Sequence, residues 1–499
     1  MEILKGHRYL LSAVSPCGQF SIYVSSLLLH SLPSSPSEQN LPNETLISSV
    51  VSILREQRSK SRWNFIKSLH PDGFSQTEVS QIILHIRNNP RLALQFFTWS
   101  ERKSLCTHDL LSYSTIIHVL ARARLRTLAQ SLIQTAIRVS EVNNFDDPDI
   151  SSKPPKLFET LVKTYRSCDS APFVFDLLIR ACLEARKIDR AIAIVWLLHS
   201  RGIYPKVSTC NSLIRSVSRL KGCDAGFVFY REIFGLDDEI GGKLKVTIHP
   251  NVQTFNMLML SFYQDGMMEK VEELWVEMAK LNCSPNVFSY SVLMAAFCDE
   301  DKMTEALNLW DEMQTKQIEP DVTAYNTLIG GFCKIGQMER AEQLFRDMAL
   351  NEIETTCLTY EHLMKGYCEI GDINSTVLLY KDMCRKDFRL ESSTIDEVVR
   401  VMCGRGRVNE CLNFLRDAMK RQDFFPGRMS YELLIRELCK EEKMEEALQL
   451  QLEMVAKGFQ PNSEIYGYFI EGYREQGNVE KARDLMKEML EIRVQQEEE

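Results

Sequence analysis

With 499 residues, 44% hydrophobic and 25% charged side chains, the chain has the composition of a folded, soluble protein and not of a fibrous or disordered one. Its formal charge of −9 at pH 7 argues against a protein that holds nucleic acid by bulk electrostatics, because such proteins neutralise many phosphates with lysine and arginine. Any binding of nucleic acid must therefore be local, on one basic surface of an otherwise acidic molecule.

Residues 1–37 differ in composition from the rest of the chain. They contain nine serines and a single acidic residue, Glu2. A Ser-rich, acid-poor start is typical of an organelle transit peptide, which we expect to span residues 1–40 and to be cleaved; the alternative is a disordered N-terminus. The apolar run from Phe20 to Leu32 is interrupted by serines and is too short to cross about 30 Å of hydrocarbon, so no transmembrane helix is predicted.

Residues 41–171 are predicted to form a helical region of degenerate repeats. Pro90 stands at the expected start of a helix, where its missing N–H costs nothing. The predicted elements are a helical segment at 41–63, a hairpin at 75–103, a hairpin at 110–140, a polar loop at 141–155 and an amphipathic helix at 156–167. The sequence does not identify the packing partner of the last helix.

The stretch from Val322 to Thr356 carries the pattern that organises the remainder of the chain. Its first half has apolar residues three to four positions apart and ends at Ile335–Gly336, which predicts a first helix. A second helix with the same spacing follows at once, and the small Ala341 lets the two helices approach closely. One hairpin of this size cannot bury both of its apolar faces, so its neighbours must be copies stacked against it.

These copies recur with a period of 35 residues, since steps of 35 from Tyr325 reach Tyr290 upstream and Tyr360 downstream. Nine units result, at 172–206, 207–251, 252–286, 287–321, 322–356, 357–391, 392–427, 428–462 and 463–497. The second unit carries ten extra residues, around 236–248, which are predicted to form an exposed loop because insertions in repeat arrays map to the turns.

Five cysteines stand at the same place in successive first helices, where a small apolar side chain packs. They are 35 or 36 residues apart and form no Cys-x-x-Cys pair, so they are predicted to be buried packing residues and not metal ligands. They are Cys298, Cys333, Cys368, Cys403 and Cys439. The histidines show no metal-ligand spacing, and no phosphate-binding loop or catalytic motif occurs. The sequence therefore predicts no metal, no cofactor and no enzyme activity.

The sequence VTAYNTLIGGFCKIGQMERAEQLFRDM, which starts at Val322, resembles the consensus of the pentatricopeptide repeat, and the resemblance covers about two-thirds of the chain. The rival tetratricopeptide repeat has a period of about 34 residues and a Trp, Leu-Gly and Tyr signature that is missing here. The resemblance implies an all-α fold, a right-handed superhelical solenoid of stacked 35-residue helix-turn-helix repeats. It is similar to the P class of this family, found in plant organelles.

In this family, the fifth and last residues of a unit hydrogen-bond the edge of one RNA base, and the second residue packs against the plane of the base. The resemblance carries these roles over to four consecutive units. The implied base-reading pairs are Asn211 with Asn251, Asn256 with Asn286, Ser291 with Asp321, and Asn326 with Thr356, and the implied base-packing residues are Ser208, Gln253, Phe288 and Thr323. The implied RNA site is pyrimidine, pyrimidine, guanine, pyrimidine from 5′ to 3′.

The outer units depart from this pattern at the same two positions. Their pairs are Asp176 with Lys206, Glu361 with Glu391, Asp396 with Gly427 and Glu432 with Asn462, and the last unit has Gly467 at its fifth place. The carboxylates of Glu361 and Glu391 would repel an RNA backbone, so the C-terminal third is expected to serve packing or protein contact.

Two classes of function are consistent with the sequence. The first is a sequence-selective single-stranded RNA-binding protein of an organelle, mitochondrial or alternatively chloroplast, that acts in transcript processing, stability, splicing or translation. The second is a structural or protein-interaction scaffold, such as a subunit associated with an organelle ribosome. An RNA reader requires Asn256 and Ser291 to be exposed in a basic groove, whereas a scaffold does not. The expected partners are organelle RNA and proteins that supply catalysis or ribosome contact, with no membrane and no small-molecule substrate.

Overall fold

The structure, a computed structural model, describes residues 43–56, 61–142, 156–236, 248–422 and 426–497. Every regular element within these ranges is an α-helix, so the predicted all-α fold is confirmed. The predicted transit peptide, most of the predicted loop at 141–155 and nearly all of the ten-residue insertion lie outside the described residues. None of the described helices combines the length and the apolar character that crossing a bilayer demands.

The chain divides into two compact units, Met1–Ala181 and Cys182–Glu499. The division falls inside the helix Val174–Glu184 and inside the first of the nine predicted repeats. The helices of the first part of the chain are α1 (Glu44–Glu56), α2 (Arg62–Leu69), α3 (Gln76–His85), α4 (Pro90–Arg102), α5 (Leu110–Arg122), α6 (Arg126–Val142), α7 (Lys156–Thr164) and α8 (Val174–Glu184). As expected, Pro90 is the first residue of its helix.

The helices of the remaining chain alternate as the first and second helices of successive units. They are α9 (Ile188–His199), α10 (Val207–Lys221), α11 (Cys223–Phe234), α12 (Val252–Gln264), α13 (Met268–Lys280), α14 (Val287–Asp299), α15 (Met303–Thr315), α16 (Val322–Lys334), α17 (Met338–Leu350), α18 (Cys357–Ile370), α19 (Ile373–Arg385), α20 (Ser392–Gly404), α21 (Val408–Gln422), α22 (Arg428–Lys440), α23 (Met444–Ala456), α24 (Ser463–Glu475) and α25 (Val479–Glu497).

In the N-terminal unit, alternate helices lie side by side, with α3 packed on α1, α5 on α3 and α7 on α5. Helix α7, whose partner the sequence does not identify, therefore continues the same stack. The buried imidazole of His118 on α5 contacts α7 and the segment that follows it. Its Nε2 lies 3.0 Å from the carbonyl oxygen of Leu161, and its Nδ1 lies 2.6 Å from the hydroxyl of Ser170.

In the C-terminal unit, successive first helices from α10 to α24 pack against one another, and each packs against its own second helix. Glycine allows the closest approach. A Cβ added to Gly331 would lie 2.6 Å from the sulfur of Cys298 and 2.8 Å from the sulfur of Met303, both in the preceding unit. Gly366 makes the same approach to Cys333 one unit later.

The tyrosine at the fourth place of the first helix explains part of the sequence repeat. Tyr290 is fully buried, and its hydroxyl reaches the edge of the core, where it donates to Oε1 of Glu312 at 3.0 Å. Its ring meets the indole of Trp275 from the preceding unit edge-on at 4.9 Å, and Trp310 meets Tyr325 in the same way. The repeated aromatic pair joins successive hairpins in a fixed register.

Candidate nucleic-acid interface

The second, fifth, sixth and ninth residues of the first helices line one face of the C-terminal unit, which we call the groove face. A cavity of about 390 Å³ opens on this face between α10, α12 and α14. Its walls include the predicted base-packing residues of three successive units, Ser208, Gln253 and Phe288, and two predicted base-reading residues, Asn211 and Asn256. The structure therefore brings together side chains that are up to 80 positions apart in the sequence.

A second cavity on the groove face, of about 380 Å³, lies where α16 meets α18. Thr323 and Asn326 line it together with Lys334 and His362. The Nζ atom of Lys334 donates to the carbonyl oxygen of Asp299 at 2.8 Å, which holds the charge at the wall of the cavity. Burial lowers the pKa of His362, so the imidazole is neutral at neutral pH.

The predicted base-reading residues of three units are hydrogen-bonded to each other. In each, the fifth residue donates from its amide nitrogen Nδ2 to a side-chain oxygen of the last residue. The distances are 3.3 Å from Asn211 to Asn251, 3.0 Å from Asn256 to Asn286 and 3.2 Å from Asn326 to Thr356. The last residue is at the same time the N-cap of the next first helix, as Asn286 shows by accepting the backbone N–H of Ser289 at 3.0 Å.

A third residue is hydrogen-bonded to each of these pairs, and it was not predicted from the sequence. It is the third residue of the following unit, a fully buried serine or threonine whose hydroxyl donates to Oδ1 of the asparagine at the fifth place. The distances are 2.8 Å from Thr254 to Asn211, 2.6 Å from Ser289 to Asn256 and 2.7 Å from Thr359 to Asn326. A hydroxyl three residues after an Asn or Thr cap is a variant of the capping-box signature, which could have revealed it.

The predicted pair of Ser291 and Asp321 is built differently. The hydroxyl of Ser291 donates to the carbonyl oxygen of Val287 in its own helix at 2.9 Å. The carboxylate of Asp321 caps the next helix by accepting the backbone N–H of Ala324 at 2.9 Å. Alanine supplies no hydroxyl at the third place, so this unit lacks the three-membered network of its neighbours.

The expected exposure of Asn256 and Ser291 is not found, since these residues are only 9% and 3% exposed. Asn256 is bonded to two residues at the start of the next first helix, Asn286 and Ser289, and it lines the cavity. The last residues Asn251, Asn286 and Asp321 are exposed. A ligand in the cavity would meet the buried Asn256 beside the exposed Gln253 and Phe288.

The carboxylates at the fifth place of the later units are not presented to solvent as the sequence suggested. Glu361 is only 2% exposed, and its Oε1 accepts the backbone N–H of Glu391 at 2.8 Å. Asp396 accepts the backbone N–H of Gly427 at 3.1 Å together with the hydroxyl of Ser430. Each of these carboxylates thus binds a backbone N–H at the start of the first helix of the next unit. There it takes the place of a capping side chain from the N-cap residue.

The five cysteines of the first helices are buried, as predicted from their spacing. They are Cys298, Cys333, Cys368, Cys403 and Cys439, each at most 4% exposed. Burial raises the pKa of the thiols of Cys298, Cys333 and Cys439 to about 12, so they stay protonated at physiological pH. Across the described part of the chain, no group of three or more His, Cys, Asp or Glu residues could hold a metal ion.

Relatives in sequence span between 37% and 95% of the chain. A pentatricopeptide repeat-containing protein of Arabidopsis thaliana is 55% identical over 484 residues, which cover 95% of both chains. Two further pentatricopeptide repeat-containing proteins of the same plant have names that include mitochondrial. One is 28% identical and its match covers 37% of this chain and 33% of its own. The other is 26% identical and its match covers 50% of this chain and 43% of its own.

Among solved structures, the crystal structure of the pentatricopeptide repeat protein PPR10 from maize covers 92% of this chain and 80% of its own, with 16% identity and a TM-score of 0.43. PPR10 in complex with an 18-nt psaJ RNA element covers 95% and 87%, with 16% identity and a TM-score of 0.35.

Family models match within the C-terminal unit. The PPR repeat family matches residues 250–299, 289–333 and 320–369, and the PPR repeat matches residues 358–388, 429–459 and 464–494. These matches fall on the helical hairpins from α12 to α19 and from α22 to α25. The relative that is 55% identical is named as a pentatricopeptide repeat-containing protein and covers 95% of this chain. The chain belongs to the pentatricopeptide repeat family.

Proposed function

We propose that this protein is a sequence-selective single-stranded RNA-binding protein of the mitochondrion that acts on the processing, stability, splicing or translation of a transcript. The observation that carries the proposal is the cavity of about 390 Å³ on the groove face, which Ser208, Asn211, Gln253, Asn256 and Phe288 line together. Family membership assigns base-packing and base-reading roles to these residues, and a cavity that gathers both kinds suits a splayed base.

The chemistry of the cavity fits the flat, polar-edged shape of a nucleobase. Phe288 is 38% exposed and offers an aromatic face for stacking. Asn256 has committed one N–H to Asn286 and its oxygen to Ser289, which leaves the second N–H of its amide as a donor. Arg215 is exposed and lines the same cavity, where it can approach a phosphate. A local cation of this kind suits a chain whose net charge is −9.

The proposed reading tract is limited to the four units from 207 to 356. Within it we assign pyrimidines to the units with asparagine at the fifth place, and guanine to the unit with Ser291 and Asp321. In the next two units, one carboxylate oxygen of Glu361 and one of Asp396 are bound to a backbone amide of the following helix. Because these side chains hold the start of the next helix and their negative charge repels an RNA backbone, these units are assigned to packing.

The test is to select RNA from a random single-stranded pool with the purified protein and to sequence what is bound at moderate salt. We expect a short fixed sequence with pyrimidine, pyrimidine, guanine and pyrimidine. The variant Asn256→Ala should lose preference at one position by roughly ten-fold, because each base contact contributes about 1–3 kcal/mol of discrimination. The control Asn308→Ala changes an exposed asparagine on α15, a second helix, and should leave the selection as it is. A protein that captures no RNA, or captures it without sequence preference, would support the scaffold function.

The location needs a separate experiment. Relatives whose names include mitochondrial motivate the choice of organelle. A fusion of the full chain to a fluorescent protein should appear in mitochondria, whereas a fusion that begins at residue 41 should not. Signal in chloroplasts would replace the mitochondrial assignment. Any chemical step on the RNA is assigned to a protein partner.

A further inference from the structure

The third residue of each unit is buried beside the two residues that the family assigns to base reading in the unit before it. The second reading unit gives the arrangement in full. Asn286 accepts the backbone N–H of Ser289 at 3.0 Å, and the hydroxyl of Ser289 donates to Oδ1 of Asn256 at 2.6 Å. The same hydroxyl accepts the backbone N–H of Asn286 at 3.2 Å. Asn256 closes the ring by donating from Nδ2 to Asn286.

This ring of bonds can be satisfied in only one orientation of the Asn256 amide. A backbone N–H can only donate, so it fixes the oxygen of the Asn286 side chain towards Ser289. That oxygen lies 3.0 Å from the amide of Asn256 and 2.9 Å from the hydroxyl of Ser289. An oxygen of Asn256 in this place would repel it, so Nδ2 of Asn256 lies next to Asn286 and Oδ1 lies next to the hydroxyl of Ser289. The cap residue Asn286 thus sets the orientation of the amide, and the hydroxyl of Ser289 holds it by donating to Oδ1 of Asn256.

A matching hydroxyl occurs wherever the proposed reading tract has asparagine at the fifth place. The hydroxyl of Thr254 donates to Oδ1 of Asn211 at 2.8 Å, and the hydroxyl of Thr359 donates to Oδ1 of Asn326 at 2.7 Å. Around Asn326 the cap residue is Thr356, which contributes a hydroxyl in place of an amide. The unit that reads with Ser291 has Ala324 instead, and its serine bonds to its own helix. Within these four units, the hydroxyl at the third place therefore accompanies asparagine and is absent from the unit with serine.

We infer that the third residue of the following unit is a specificity-determining residue: Thr254, Ser289 and Thr359 orient the asparagine amides of the preceding units so that these units select pyrimidines. The inference rests on the proposed function of RNA binding. These hydroxyls are fully buried and do not line either cavity. Their effect on the base passes through asparagine, which makes them positioning residues.

The first experiment removes one hydroxyl and restores it. Ser289→Ala should weaken the pyrimidine preference at the position paired with unit 252–286 by about two- to ten-fold, the equivalent of one net hydrogen bond. Preferences at the other positions should stay unchanged, and Ser289→Thr should restore the lost one. Ser430→Ala removes the matching hydroxyl outside the reading tract and is the control. A merely structural role would weaken the binding of all sequences equally, and that result would overturn the inference.

The second experiment introduces the asparagine into unit 287–321 and the hydroxyl at the third place of the unit that follows it, where both are missing. Because it adds hydrogen-bonding groups and removes none from the other units, it does not rely on a destabilised variant. Ser291→Asn should move the preference of its unit from guanine towards a pyrimidine, and adding Ala324→Ser should sharpen that preference several-fold. Equal selectivity of the single and double variants would overturn the inference and leave the proposed function intact. Selection of no sequence by the unchanged protein would overturn both. Far-UV circular dichroism of each variant verifies that the helices are retained.

Discussion

The thiol of Cys333 sits at one of the tightest contacts between first helices, where a Cβ on Gly366 would come within 3.0 Å of its sulfur. A serine hydroxyl in this place would be buried at an apolar contact, with only a carbonyl oxygen of its own helix as an acceptor. Cys333→Ser is therefore expected to lower the free energy of unfolding by about 1–3 kcal/mol, measured by urea denaturation. The half-buried Cys283 provides the control, and its change to serine should cost much less. Stoichiometric metal in the purified protein that is lost with Cys333→Ser would contradict the packing role.

His118 makes the N-terminal unit sensitive to pH. Burial lowers its pKa from 6.5 to about 4, and its Nδ1 accepts the hydroxyl of Ser170, which requires the neutral ring. The unfolded chain takes up a proton near pH 6.5 and the folded chain only near pH 4. The stabilising contribution is therefore complete above pH 6.5 and is lost as the pH falls towards 4, by about 1.4 kcal/mol per pH unit.

The thermal midpoint should accordingly decrease between pH 6.5 and pH 4 more steeply in the unchanged protein than in His118→Gln. Glutamine retains an acceptor and a donor but does not titrate. His199, which is also buried with a lowered pKa, titrates in the same range, and the double variant His118→Gln, His199→Gln separates the two contributions. Equal slopes for the unchanged protein and His118→Gln would show that His118 takes up its proton at the same pH in the folded and the unfolded chain, and would contradict the prediction.

Among the helices, Asp396 shows how a side chain of one hairpin stabilises the start of the first helix in the next hairpin. Helix α22 begins after Gly427, which has no side chain for capping, and Asp396 accepts the backbone N–H of Gly427 from the preceding unit. Asp396→Ala should lower the free energy of unfolding by about 1–2 kcal/mol, as loss of a helix cap does. Asp396→Asn keeps an acceptor oxygen and should lose less. Amide hydrogen exchange at Gly427 and Ser430 should accelerate in Asp396→Ala alone, and unchanged exchange there would count against the capping role.

The helices and their buried faces could be predicted because a period of 35 residues and a spacing of three to four depend only on the order of residues along one chain segment. Tyr290 and Cys333 were placed correctly for that reason. The ring around Asn256 could not be predicted in the same way, since its three members come from two units and meet only after the units stack. The burial of Glu361 was missed on the same grounds. From the sequence its carboxylate was expected to face the RNA, whereas it is buried and the adjacent unit supplies a backbone amide for it.

Across the whole C-terminal unit, stability comes from contacts between nearest neighbours. In the described helices, each first helix makes its substantial contacts with its own second helix and with the units on either side. The contacts between successive units are also equivalent. Gly331 fits against Cys298 and Met303, and one unit later Gly366 fits against the cysteine and methionine at the same places. An array of this kind is expected to tolerate the loss of a complete unit.

Deleting residues 322–356 tests this expectation directly. The deletion brings α18 next to α14, where Gly366 would meet Cys298 and Met303 in place of Cys333 and Met338. Asp321 would cap α18 as it now caps α16. The shortened protein should lose far-UV helical signal only in proportion to the two helices removed and should still unfold cooperatively in urea. Its selected RNA should lack the pyrimidine assigned to Asn326.

Deleting α16 alone leaves α17 without its partner and should reduce both helicity and cooperativity far more. Loss of most of the helical signal on removal of the complete unit would show that stability is not a sum of neighbouring contacts.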